Sequence, residues 1–124
     1  AHYYRAKAYL DAGKVEGAMD DLKILAKDTR NIYGAEAKYK VAQIYFDAGQ
    51  TEQAEKEVLD YIEVSTPHTY WLARSFVLLS DVYMKLGRNL DAKQYLLSLK
   101  QNYQADDDIA GMIESRLNKL NAEN

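Results

Sequence analysis

The chain has 124 residues, 48% hydrophobic and 28% charged, with a net charge of -3 and no cysteine. This balance excludes a disordered chain and the clustered basic surface that nucleic acid demands. It also excludes disulfides, thiolate metal sites and cysteine nucleophiles.

The length is that of one ordinary domain, and no apolar stretch approaches the ~18–20 residues of a membrane span. One proline beside eleven tyrosines is the composition of a helical protein with large packing groups. No signal-peptide pattern is visible, because Ala1-His-Tyr-Tyr-Arg-Ala opens directly inside an amphipathic pattern. That opening leads us to expect the C-terminal piece of a longer protein.

From the N-terminus, apolar residues recur at spacings of three and four, the period of amphipathic helices. A frame of Tyr, Gly four residues on and Ala five further on is written three times: Tyr9/Gly13/Ala18, Tyr45/Gly49/Ala54 and Tyr83/Gly87/Ala92. Each glycine stands where a helix must stop, since it can take the left-handed conformation that satisfies terminal carbonyls. A second helix restarts within two or three residues. Thr51 and Asn89 are the expected N-caps of the second and third restarts, and Val15 leaves the first restart without one.

The segment STPHTYWLARSF opens the fifth helix, with Thr66 as N-cap and Pro67 at the first helical position. The final segment, QADDDIAGMIESRLNKLNAEN, reads as a seventh helix over about residues 106–121. Its Ile109, Met112, Ile113, Leu117 and Leu120 form one apolar stripe, and Asp106, Asp107 and Asp108 suit its positive N-terminal end. Residues from Asn121 to Asn124 are expected to fray.

Small residues explain how each hairpin closes. Ala6, Ala42 and Ser80 lie three before each frame Tyr, and Ala18, Ala54 and Ala92 lie nine after it. Helix axes approach to ~8–10 Å only over small contact residues. Leu22, Val58 and Leu96, with Leu25, Tyr61 and Leu99, continue the buried stripe of each second helix. One such hairpin cannot cover its own apolar faces, so neighbours must stack.

The frame Ala/Ser-x2-Tyr-x3-Gly-x4-Ala over about residues 1–104 resembles the tetratricopeptide repeat (TPR). The resemblance implies a single all-α domain over 1–124: a right-handed α-solenoid of three hairpins, over about 1–30, 34–66 and 67–104, plus a C-terminal capping helix. Departures are visible. Extra residues fall near Thr29–Gly34 and Ser65–Tyr70. The large residue expected early in each first helix is His2 in repeat one and Lys38 in repeat two, and only Phe76 fits.

Catalytic and metal chemistry find no constellation. His2 and His68 have no ligand partner at i+4, no Gly-x-Gly phosphate loop occurs, and Ser75 and Ser80 lack a nearby base. Counting from Asp106, the twelfth position of a calcium loop is Leu117, so the acidic run reads as helix-start charge. The reading is no enzyme, no metal and no cofactor, with no nucleic-acid partner and no direct membrane insertion.

The resemblance implies instead that the inner helix of each repeat lines a concave groove for a peptide or protein segment. By position relative to the frame Tyr, the groove residues are Tyr3, Lys7, Leu10 and Asp11 in repeat one. Repeat two supplies Glu36, Tyr39, Gln43, Phe46 and Asp47. Repeat three supplies Arg74, Val77, Asp81, Met84 and Lys85. Tyr39, Gln43 and Phe46 would sit mid-groove, with Lys7 and Arg74 open to a partner's carboxylates.

Leu10, Phe46 and Met84 could equally pack against the next inner helix. The Lys/Asn/Arg clamp of chaperone-tail-binding members is missing, so a chaperone C-terminus is not the expected ligand. The alternative function is a spacer and end-cap segment of a longer solenoid. The resemblance extends to bacterial TPR proteins of the cell envelope, and Tyr3 and Tyr4 at the uncovered first end allow weak dimerisation there.

Overall fold

In the computed structural model, which describes residues 1–64 and 66–122, the chain is all-α, with no strand among those residues. Seven helices follow in order: α1 (His2–Asp11), α2 (Val15–Leu25), α3 (Ile32–Asp47), α4 (Thr51–Glu63), α5 (Thr69–Lys85), α6 (Asn89–Asn102) and α7 (Ile109–Ala122). They pack as three consecutive pairs, α1 with α2, α3 with α4 and α5 with α6. α2 and α4 also pack on the helix that follows them, α3 on α5, and α7 on both α6 and α5.

The recurring frame has a backbone explanation. Gly13, Gly49 and Gly87 adopt φ of 75°, 80° and 76°, the left-handed region that side chains resist. The residue after each glycine then serves both helices. The amides of Lys14, Gln50 and Arg88 donate to the carbonyls of Tyr9, Tyr45 and Tyr83, at 2.7, 2.9 and 2.7 Å, closing a Schellman turn. Their own carbonyls accept from Ala18, Ala54 and Ala92, at 3.2, 3.0 and 3.1 Å, opening the next helix. Tyr, Gly and Ala are therefore linked through one shared residue.

This corrects the expected caps: Gln50 and Arg88 hold the N-cap position, without a side-chain cap bond, and Thr51 and Asn89 are already helical. At α5 the shift runs the other way, two residues later, and Pro67 precedes the helix. His68 is the N-cap, while Thr66 Oγ1 accepts from the His68 amide (3.2 Å) and donates to Thr29 O (2.8 Å), tying two turns together. α7 likewise starts later than expected, at Ile109, whose amide donates to Asp107 Oδ1 at 2.9 Å. Helix persists through Asn121 and Ala122 where fraying was expected, while Glu123, Asn124 and Ser65 lie outside the described residues.

The small residues of the frame sit where the pairs close: Ala6, Ala42, Ser80, Ala18, Ala54 and Ala92 are all buried. The six stripe residues follow, with only Leu25 partly exposed. Ser75 and Ser80 are satisfied inside α5 by the carbonyls of Trp71 and Val77.

The residue at this place in each first helix, two departures and the fitting Phe76, is matched nineteen residues on. His2 Nδ1 meets Asp21 Oδ1 at 2.7 Å, Lys38 Nζ meets Glu57 Oε2 at 2.7 Å, and Phe76 stacks on Tyr95 with ring centroids 6.1 Å apart. The same place within the helix pair is filled by a polar contact twice and an aromatic one once.

Gly34 has a different role from the frame glycines. A Cβ there would lie 1.8 Å from Asp28 O and 2.7 Å from Leu25 O, so α3 starts directly against the end of α2.

Candidate partner-binding groove

The inner-helix residues fall into three groups. Two are enclosed. Val77 is only 3% exposed and belongs to the main core, and Tyr39 is 7% exposed. Both were expected to line an open strip, but α3 packs on α5 and covers them.

A second group forms a polar chain across α3, α5 and the start of α7. The Tyr39 hydroxyl donates to Gln43 Oε1 (2.9 Å) and accepts from Arg74 Nη2 (3.0 Å), and Gln43 Nε2 donates to Asp47 Oδ1 (2.8 Å). Arg74 Nη1 donates to the Tyr70 hydroxyl (2.9 Å), which donates to Asp108 Oδ1 (2.9 Å). The guanidinium also lies 4.8 Å from the Tyr39 ring centroid and 5.9 Å from that of Trp71. Arg74 is therefore occupied within the protein instead of standing ready for a partner's carboxylate. At the first end, the Tyr3 hydroxyl donates to Glu36 (3.2 Å), Lys40 pairs with Glu36 at 2.6 Å, and Lys7 Nζ lies 5.3 Å from the Tyr3 ring centroid.

The third group is accessible. Phe46 and Met84, each half-buried, line a cleft of about 410 Å³ with Asp81, Lys85 and Lys119. Asp81 is held by Arg116 of α7 in a two-pronged contact of 3.1 and 3.0 Å. Lys85 and Lys119 have no acidic partner among the described residues. Leu10, Asp11 and Lys7 lie further along, on α1.

Arg116 and Lys119 were missed because the seventh helix was read only as a capping helix, by its apolar stripe. α7 packs on α5, as α5 packs on α3. Extending the cleft to the helix that follows the third pair would have found both residues. Tyr70 and Trp71 were missed for lack of any motif.

The histidines are placed by hydrogen bonds: His2 to Asp21, and His68 Nε2 to Arg30 O at 2.8 Å. Asp107 also accepts from the Tyr103 hydroxyl, and together burial and that carboxylate push the Tyr103 hydroxyl up to about 12. No group of three or more His, Cys, Asp or Glu side chains is placed to hold a metal among the described residues. No helix among them is long and apolar enough to cross a membrane.

No family model matches the chain, and no curated protein matches it.

Proposed function

We propose that this chain is a non-catalytic protein-binding scaffold, a right-handed stack of TPR-like hairpins that holds a peptide segment against its inner helices. One observation carries the reading: half-buried Phe46 and Met84 lie beside two lysines without acidic partners in one cleft between α3, α5 and α7. Apolar side chains of this kind, in a recess rimmed by charge, are what anchor a partner. The threefold frame and the ordered packing of successive pairs support the stacked architecture.

The segment taken by this cleft carries an apolar side chain next to a carboxylate, the charges mainly speeding and orienting its arrival. Affinity is modest, because a short segment loses entropy on ordering.

Selection of a random peptide library on the purified chain tests this. Enriched sequences should combine apolar and acidic residues, and lose roughly tenfold in affinity, one ~1.4 kcal/mol step, on Phe46→Ala/Met84→Ala. Absence of any enriched peptide, or binding indifferent to that double change, would leave these helices as spacer and end-cap of a longer stack.

A further inference from the structure

Residues at equivalent places in the frame expose a difference between the two junctions of the stack. Moving from the first junction to the second, Met19 corresponds to Glu55, Tyr45 to Tyr83, Ala48 to Leu86 and Gln50 to Arg88. At the second junction the charged and aromatic residues pair with one another, and the cleft of about 560 Å³ that remains is mainly polar. Arg88 lies 4.3 Å from the Tyr83 ring centroid and 3.8 Å from Glu55, and Tyr83 is buried. The cleft left beside them runs mainly along polar side chains, Gln50, Thr51, Glu52 and Gln53.

At the first junction the shorter Ala48 and the uncharged Gln50 leave an apolar notch of about 630 Å³. Its walls are Leu10, Val15, Met19, Ile44 and Tyr45, with Val15 44% exposed. That volume lies within the range of ligand-accepting clefts.

The rim of the notch is acidic. Glu16 and Asp47 line it, and Asp11 stands one residue beyond Leu10. Asp11 and Glu16 have no cationic partner among the described residues, and Asp47 is held only by the Gln43 amide. The cations nearby are Lys14, close in sequence, and Lys23, whose Nζ lies 5.7 Å from the Tyr45 ring centroid, against three carboxylates. An apolar recess with an excess of carboxylates on its rim suits a partner that presents apolar side chains flanked by positive ones. This is the opposite of the cleft at Phe46 and Met84, whose unpaired charges are lysines.

We propose that the notch between the first and second helix pairs is a second docking site, taking an amphipathic segment with apolar side chains on one face and lysine or arginine beside them. The site stands apart from the Phe46/Met84 cleft and does not depend on it. Binding there draws on burial of the apolar face, with flexible Met19 adjusting to its occupant, and on charge attraction that salt weakens.

The test uses two synthetic helix-forming peptides with Leu at i, i+3, i+4 and i+7, one carrying Lys on its other face and the other Glu. Each is titrated into the isotope-labelled chain and followed by amide NMR. The Lys peptide should shift Leu10, Val15, Met19 and Ile44, less so as salt rises, and the Glu peptide should not.

Ala48→Leu/Gln50→Arg transplants the larger residues of the second junction and should weaken the Lys peptide by about tenfold or more while the fold is kept. Asp11→Lys/Glu16→Lys should do so through charge alone. Equal binding of the Glu peptide overturns the proposal, as does unchanged binding by the filled variant. Shifts confined to Phe46, Met84 and Lys119 overturn it too. Concentration-dependent shifts at the notch without peptide would assign it to a second copy of the chain instead.

Discussion

Tyr61 is fully buried in the second helix pair, and among the described residues no hydrogen-bond partner meets its hydroxyl. Burial pushes that hydroxyl up, with neighbouring Thr66 acting in the opposite sense. The Thr66 hydrogen, however, is given to Thr29 O. A buried donor without a bond forfeits about 1–3 kcal/mol of hydration. Tyr61→Phe should therefore leave the melting temperature unchanged or raise it. A fall of several degrees would show that the hydroxyl is paired after all. From the sequence Tyr61 was legible as a stripe residue by its spacing, yet nothing in the spacing says whether a phenol finds a partner. The same limit explains Tyr39. Its place on an inner helix was readable, but its enclosure depends on Arg74, Trp71 and Tyr70, which come from another helix.

The helices themselves were readable because period, glycine stops and small residues all agree. Their starts were misplaced by one to three residues. Side-chain caps were assumed where a Schellman turn uses one residue for both helices, and Asp107 caps a later start. The least legible feature was the pairing nineteen residues apart, because His2, Lys38 and Phe76 look unrelated until their partners are seen. If this place is a unit, copying the third pair into the second should work. Lys38→Phe or Glu57→Tyr alone leaves a half-buried charge without its partner, while Lys38→Phe/Glu57→Tyr restores a matched contact. The double-mutant cycle should show coupling of about 0.5–3 kcal/mol. Additive losses would reduce the correspondence to coincidence. α7 is a second unit at this scale, burying Ile109, Ile113, Leu117 and Leu120 against the main core. Deleting residues 106–124 should expose an apolar face and cause self-association in light scattering. A monomeric truncated chain of equal stability would show that α7 covers nothing of consequence.

Over the whole molecule the packing is uneven. One core cluster runs from Tyr39 to Leu120 and includes most of α5, whereas the first pair rests on a smaller cluster of Ala6, Ala18, Leu22, Ala37 and Val41. α3 packs on α5 and α5 on α7, but α1 has no comparable packing on α3 and reaches it through Tyr3. The helix pair with the fewest neighbours to cover it opens first.

What holds α1 to α2 includes Asp21, only 2% exposed, which accepts from Arg5 Nε at 2.8 Å and Arg5 Nη2 at 2.6 Å and meets His2 at 2.7 Å. Arg5 first and His2 second hold its carboxyl well below the usual carboxylate range, against burial, which acts the other way. A carboxylate so depressed adds stability above its unfolded value of about 3.9. That contribution is lost as pH falls from there toward the folded value. Amide-exchange protection should accordingly be highest in α5 and lowest in α1 and α2. Lowering the pH from 7 to 3 should reduce protection in the first pair more than in α5, and Asp21→Asn should remove most of that difference. Equal protection of α1 and α5, or an acid response unchanged in Asp21→Asn, would show that the first pair is held by the rest of the molecule and not by this carboxylate.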